Sequence, residues 1–207
     1  HRNARTLFAS VALALIVVAC SSGTGTTSQG GAGGGCPTSQ PAAATAGTTR
    51  DVTMVTSKGT IVVRLSSDLS PIAVGNFLAL VDCGFYNGVI FHRVVPGFVI
   101  QGGDPTGTGM GGPGYSISDE PVLGEYRRGV LAMARTAAPN SQGSQFFIVL
   151  DDGAQGPLES ARTYAILGEV TAGMDVVDAI AAVERDADDR PVVPVTIVHM
   201  TVSTPAP

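Results

Sequence analysis

Residues 91–104 read FHRVVPGFVIQGGD, and the fold of the chain turns on how that stretch is taken. Apolar residues alternate with others on both sides of Pro96 and Gly97, at the two-residue period of a strand rather than the 3.6 of a helix. The stretch is therefore strand, turn, strand, with Pro and Gly supplying the turn. Within it Arg93 and Gln101 are polar residues in apolar company, where a buried functional contact is most expected. His92 adjoins Arg93 and so points to the opposite strand face, which suits a structural role.

Upstream, residues 51–57 and 60–66 are two β-rich runs joined at Lys58 and Gly59. Ile61, Val63 and Leu65 alternate with solvent-tolerant neighbours, as in a hairpin. Ser70 and Pro71 open a helix as its cap and first residue, Val74, Phe77, Leu78 and Val81 form its apolar stripe, and Gly84 stops it. Downstream, residues 102–115 are too rich in glycine for a regular element. Strands follow at 129–135, 145–150 and 164–170, with a loop carrying Gly153, Gly156 and Pro157 between the last two. A second short helix covers 174–183, with Val176, Val177 and Ile180 inward, and a last strand covers 195–202. Many short strands with two helices suggest a mainly β fold, a closed β-barrel capped by the helices. The lack of strand–helix–strand alternation argues against a nucleotide-binding α/β fold.

The 207 residues suit one domain plus an extension. Charged residues make up 14% and the net charge is −5, which leaves no basic footprint for nucleic acid. Arg2 and Arg5 precede an apolar run over residues 7–19 broken only by Ser10, the pattern of an export signal and too short to span a membrane comfortably. The run ends in Val17, Val18, Ala19 and Cys20, which resembles a bacterial lipoprotein signal, in which the cysteine is lipidated and becomes the first residue. An ordinary secretory signal with an incidental Cys20 is the alternative. Residues 20–50, dominated by Ser, Gly, Thr, Ala, Pro and Gln, then read as a flexible tether ahead of a domain over 51–207. The expected location is lipid-anchored on the extracytoplasmic face of the cell membrane, or secreted if the anchor is absent. In such an oxidising compartment Cys36 and Cys83 either pair, pinning the tether to the domain, or stand apart as a free thiol and a buried helix cysteine.

Several chemistries are excluded by the residues present. Residues 107–112 formally match G-x-G-x-x-G, but Pro113 and Gly114 follow where a dinucleotide site needs a helix. Ser144 has no nucleophile elbow around it. His92 and His199 lie far apart among scattered carboxylates and no Cys-x-x-Cys occurs, so no metal and no cofactor is expected. What remains is a site without a strong nucleophile, base or metal, built of Arg93, Gln101, aromatics and small apolar residues.

FHRVVPGFVIQGGD together with MARTAAPNSQGSQFFIVL (residues 133–150) resembles the cyclophilin family of peptidyl-prolyl cis-trans isomerases. The likeness covers about residues 51–202 in the family's order, through YAILGEV at 164–170. It implies an eight-stranded antiparallel barrel closed by a helix at each end, with a proline-binding groove on the outer surface. The implied partners are proline-containing segments of unfolded or folding proteins, met by a monomer. It also implies that Arg93 is the catalytic arginine and that Gln101 orients it. Phe98, Val99, Phe147 and Leu158 correspond to the proline pocket. Ala134 and Arg135 correspond to the strand that pairs with substrate backbone, and Tyr164 stands where many members have histidine. The chain departs from the pattern in having no Trp, with Leu158 in its place on the pocket rim, in having Val99 for a frequent Met, and in a longer loop after Arg135. A non-catalytic peptide-binding or chaperone domain is the alternative, against which the joint presence of Arg93, Phe98, Gln101 and Phe147 speaks.

Overall fold

The computed structural model describes residues 35–203; the expected signal segment and Cys20 lie outside them. Among the described residues there are eight strands: β1 (Thr49–Thr56), β2 (Gly59–Ser66), β3 (Arg93–Val95), β4 (Val99–Gly102), β5 (Val130–Met133), β6 (Phe146–Val149), β7 (Ile166–Ala172) and β8 (Ile197–Ser203). Three helices accompany them, α1 (Pro71–Asp82), α2 (Gln155–Ala161) and α3 (Met174–Ala181). No helix among the described residues is long and apolar enough to cross a membrane.

The strands form one sheet in the order β3-β4-β6-β5-β7-β2-β1-β8, with antiparallel neighbours throughout. The expected closed barrel is corrected here: β3 and β8 are the two edges and do not ladder with each other, so the sheet is a curled half-barrel. Between the edges only a single bridge, Ile90 to Thr196, and isolated bonds such as Phe91 N–H to Val195 O (2.9 Å) span the gap. The reason is local. β3 has three residues before the turn at Pro96 and Gly97, and Pro191 and Pro194 interrupt the approach to β8, since proline has no N–H to give a ladder.

The inner face holds the main core. Val52 and Met54 of β1, Ile61, Val63 and Leu65 of β2, Ile100 of β4 and Ile148 of β6 are fully buried, as alternation requires. α1 adds Ala73, Val74, Phe77, Leu80 and Val81, while Leu78 is only partly covered; α3 adds Val177 and Ile180. Phe77, Tyr86, Phe91 and Phe146 meet through tilted and edge-to-face contacts with ring centroids 5.1–6.2 Å apart. Such geometry satisfies the ring quadrupoles.

Two local readings of the sequence change. Ser70 occupies the cap position of α1, but its hydroxyl donates to Leu69 O. The Glu120 carboxylate instead accepts from Ile72 N–H and Ala73 N–H, both at 2.8 Å, and meets the positive end of the helix. The stretch with Gly153, Gly156 and Pro157 is not a plain loop. It is a 3-10 turn running into α2, with the Asp151 carboxylate accepting from Gly153 N–H at its start (2.7 Å). Pro157 fits because it falls in the first turn, where its missing N–H is not needed.

Of the stretch read as a tether, residues 36–48 lie against the domain as a strap. Ala44 N–H donates to Pro71 O (2.8 Å) and Gly47 N–H to Asp68 Oδ1 (2.7 Å). Ser118 N–H donates to the Gln40 side chain (2.8 Å). The strap crosses α1 at Gly75, where a Cβ would stand 2.3 Å from Ala42 O. At its start the sulfurs of Cys36 and Cys83 are at bonding distance, 2.14 Å.

Candidate active site

A sheet has two faces, and the residues that the inner core does not use make a second apolar cluster on the outside. It contains Val99 of β4, Phe147 and Val149 of β6, Ala132 of β5, Ile166 of β7 and Leu158 of α2. Phe98, Ala134 and Tyr164 pack on it from the loops and turns at strand ends. The structure thus brings together six of the residues singled out in sequence: Phe98, Val99, Ala134, Phe147, Leu158 and Tyr164. Tyr164 stands edge-on to Phe147 with centroids 5.4 Å apart.

The polar side of this groove follows from strand register. Arg93 pairs with Gln101 across β3 and β4, and Gln101 pairs with Phe147 across β4 and β6. Directly paired residues share a face, so guanidinium, amide and phenyl ring sit in one row. Arg93 and Gln101 are half-buried. The Gln101 amide orientation is fixed by a relay. Gln145 Nε2 donates to both Gly109 O and Gly111 O at 2.9 Å, so its Oε1 is an acceptor, and Gln101 Nε2 donates to it at 3.0 Å. Gln101 Oε1 is thereby left as the acceptor end of the amide.

Sequence reasoning did not single out Gln145, nor the residue beneath the relay. Asp104 is buried and its carboxylate accepts from Thr106 N–H (2.7 Å), Gly109 N–H (2.6 Å), Gly111 N–H (3.0 Å) and the hydroxyls of Thr106 (2.8 Å) and Thr108 (3.3 Å). Burial raises its pKa, but these donors outweigh burial and hold the carboxyl well below the ordinary range. Asp104 is thus the hub on which the glycine-rich loop is wound, and that loop presents the two carbonyls to Gln145. The signal was in plain view: one carboxylate directly before a loop of small residues whose N–H groups need an acceptor.

Tyr126 is another residue not anticipated. Its hydroxyl donates to Tyr164 O (2.7 Å) and accepts from Tyr164 N–H (3.1 Å), which fixes the segment bearing Tyr164. Burial pushes the phenol up to about 12, so it stays protonated as that donor.

Arg135 differs from its expected partners. Its side chain is only 9% exposed and forms an ion pair with Asp119 (2.9 Å), while also donating to Thr136 O and Ala138 O. The guanidinium is spent on Asp119 and on carbonyls of its own loop. Beside the groove, and sharing Gln101 and Ala134 with it, is a cavity of about 420 Å³ between the glycine-rich loop and residues 134–145, also lined by Arg135. Met110 stands at its mouth, 90% exposed.

His92 lies on the other side of its strand, packed under Gly109. Burial is the main reason that its pKa lies below the usual histidine value; Asp104 opposes this, and Arg190 and Arg93 add to it. Its Nδ1 has no partner. Among the described residues no group of three or more His, Cys, Asp or Glu stands together as metal ligands.

An outer apolar groove flanked by a guanidinium, on a half-barrel of this topology, invites comparison with known proteins. The family model described as cyclophilin type peptidyl-prolyl cis-trans isomerase matches residues 51–202. This chain belongs to the cyclophilin family. Probable peptidyl-prolyl cis-trans isomerase A of Mycobacterium leprae is 42% identical over 170 residues, covering 73% of this chain and 91% of the relative. Peptidyl-prolyl cis-trans isomerase-like 1 of Aspergillus fumigatus is also 42% identical, over 157 residues, covering 73% and 94%. Among solved structures, a cyclophilin type isomerase of Cryptosporidium parvum is similar with a TM-score of 0.69 at 33% identity, covering 76% of this chain and 99% of that one. A second structure from that organism, obtained in the presence of the dipeptide Ala-Pro, gives a TM-score of 0.68 at 34% identity. The matched span begins after the strap, so residues 36–48 are an addition to the cyclophilin domain.

Proposed function

We propose that the chain is a peptidyl-prolyl cis-trans isomerase whose catalytic group is Arg93, acting on proline-containing peptide segments laid in the outer groove. The observation that carries the reading is the row Arg93, Gln101, Phe147, which sets one cation beside an apolar cluster on the outer face.

The chemistry asks for little else. An X-Pro amide resists rotation because its C–N bond has partial double-bond character. Twisting it localises a lone pair on the prolyl nitrogen. A donor aimed at that nitrogen binds the twisted state more strongly than the planar one, which is the condition for catalysis. Uncatalysed exchange takes roughly 10–100 s. Bringing it to about a millisecond needs on the order of 10⁴-fold or more, or about 5–7 kcal/mol. One preorganised donor supplies about 3–4 kcal/mol of this, and the rest falls to exclusion of water by Phe98, Phe147 and Leu158 and to orientation of the peptide. Gln101, fixed by Gln145, is paired with Arg93 across the strands, and the planar guanidinium fork offers an amide a geometry that a lysine would not.

The test is exchange in an X-Pro tetrapeptide, or proline-limited refolding. Arg93→Ala lowers kcat/KM by about 10²–10³-fold while peptide binding survives. Equal rates for wild type and variant would favour a binding module instead.

Export, lipidation at Cys20 and action as a surface-anchored monomer on proteins folding outside the cytoplasm complete the proposal. They are supported by the basic and apolar leader ending in Ala19 and Cys20, and by the paired Cys36 and Cys83, which suit an oxidising compartment. Mass spectrometry of membrane fractions would detect the lipid; a soluble product with unmodified Cys20 would count against the anchor.

A further inference from the structure

The cavity beside the groove is walled on one side by residues 135–141, of which Arg135, Thr136 and Ser141 line it. This wall has no secondary structure of its own. Ser141 and Arg135 tie it internally, and from outside the loop the Asp119 side chain holds it. Asp119 Oδ2 takes the Arg135 guanidinium (2.9 Å) and accepts from Asn140 N–H (2.8 Å). Asp119 Oδ1 accepts from Gln142 Nε2 (3.2 Å). Asp119 N–H in turn donates to Asn140 Oδ1 (2.8 Å). The reciprocal pair fixes Asn140 in the left-handed region, φ 52°, which a side chain adopts only when its surroundings demand it. Asp119 is itself anchored on both sides: Ile117 N–H donates to Gln142 O (2.9 Å), and Ser118 N–H donates to Gln40 of the strap (2.8 Å).

We propose that Asp119 is a positioning residue for peptide binding. Through Arg135 and Asn140 it clamps the 135–142 loop as a rigid wall, and the affinity for a proline peptide depends on that clamp rather than on contact between the Arg135 guanidinium and the peptide. The proposal rests on the groove as the peptide site, because a peptide seated there abuts Gln101 and Ala134, which groove and cavity share, next to the clamped Arg135 of the cavity wall. Arg93, Phe98 and Phe147 lie on or beside β3, β4 and β6, outside the clamp, so the step of bond rotation is left alone. Both partners of the pair are largely shielded, with side-chain exposures of 9% for Arg135 and 27% for Asp119, so the clamp keeps its strength in salt better than a surface pair.

The test is a double-mutant cycle on Asp119→Ala and Arg135→Ala, read by fluorescence anisotropy of a labelled X-Pro tetrapeptide, by KM and kcat in the exchange assay, and by Tm. Each single variant raises Kd and KM by about fivefold and leaves kcat within about twofold. The double variant is no worse than either single, because both remove one clamp. A fall in Tm with Kd unchanged would make the clamp merely structural and overturn the proposal. So would multiplicative losses in the double variant, which would mean that Arg135 touches the peptide independently. A wild type that binds the peptide and obeys the cycle but does not turn it over would fault the isomerase reading and leave the clamp standing. One that binds no proline peptide would overturn both.

Discussion

A guanidinium keeps its charge across the whole working pH range, so a site that depends on Arg93 has no base to titrate. His92, its neighbour in sequence, faces away, and burial lowers its pKa below the usual histidine value. We therefore expect kcat/KM to vary by no more than about twofold between roughly pH 6.5 and 9. A bell-shaped profile centred near neutrality would reveal a proton transfer that this site does not contain. Asp104 gives the acid limit. Its folded pKa is depressed, so its stabilisation is complete above the unfolded value of about 3.9 and is lost only as pH falls through the folded value, which lies lower still. The glycine-rich loop thus persists in mild acid. Asp104→Ala removes the acceptor from three backbone N–H groups and lowers stability by roughly 3 kcal/mol, to be read as a lower urea midpoint at unchanged slope. The groove residues were named from the sequence only through the resemblance of the two motifs to a family, and strand register then puts Arg93, Gln101 and Phe147 on one face. Asp119 was not, because its partners lie more than a dozen residues away in loops that have no period to read.

At the scale of elements, whatever depends on local period was legible: the β1–β2 hairpin, the apolar stripe of α1, the turn at Pro96 and Gly97. α2 was not. Seven residues with a glycine and a proline have poor intrinsic helicity, and they are helical here because Asp151 caps the turn before them and Leu158 anchors in the outer cluster. The Ser70 cap failed for a related reason, since Glu120 from a distant segment outcompeted it. Close approach between strands is equally non-local. β7 meets β2 at Gly168, where a Cβ would lie 1.9 Å from Arg64 O. Gly168→Ala forces the two strands apart and costs about 1–3 kcal/mol or more, a clear loss in Tm for a change of one methyl group.

The whole molecule adds what neither residues nor elements announce. Alternation tells which residues face inward but not whether the first and last strands meet, and the half-barrel stays open because prolines stand at its seam. The strap, too, reads as unstructured from composition alone, yet it is tied down at Cys36. The bond to Cys83 closes a loop across a sequence separation of 47. Restricting an unfolded chain over that span is worth up to about 4 kcal/mol. Reduction with a dithiol should lower the urea midpoint accordingly, and an unchanged midpoint would mean that the strap contributes nothing to folding.

The same sheet serves two clusters, one on each face. Within β4, Ile100 belongs to the inside and Val99, the next residue, to the groove. Folding and recognition are therefore written on alternating letters of the same words. On the proposed reading of the groove, substitutions at Phe98, Val99 or Leu158 alter what it accepts around proline while the inward letters, and the fold they specify, stay as they are.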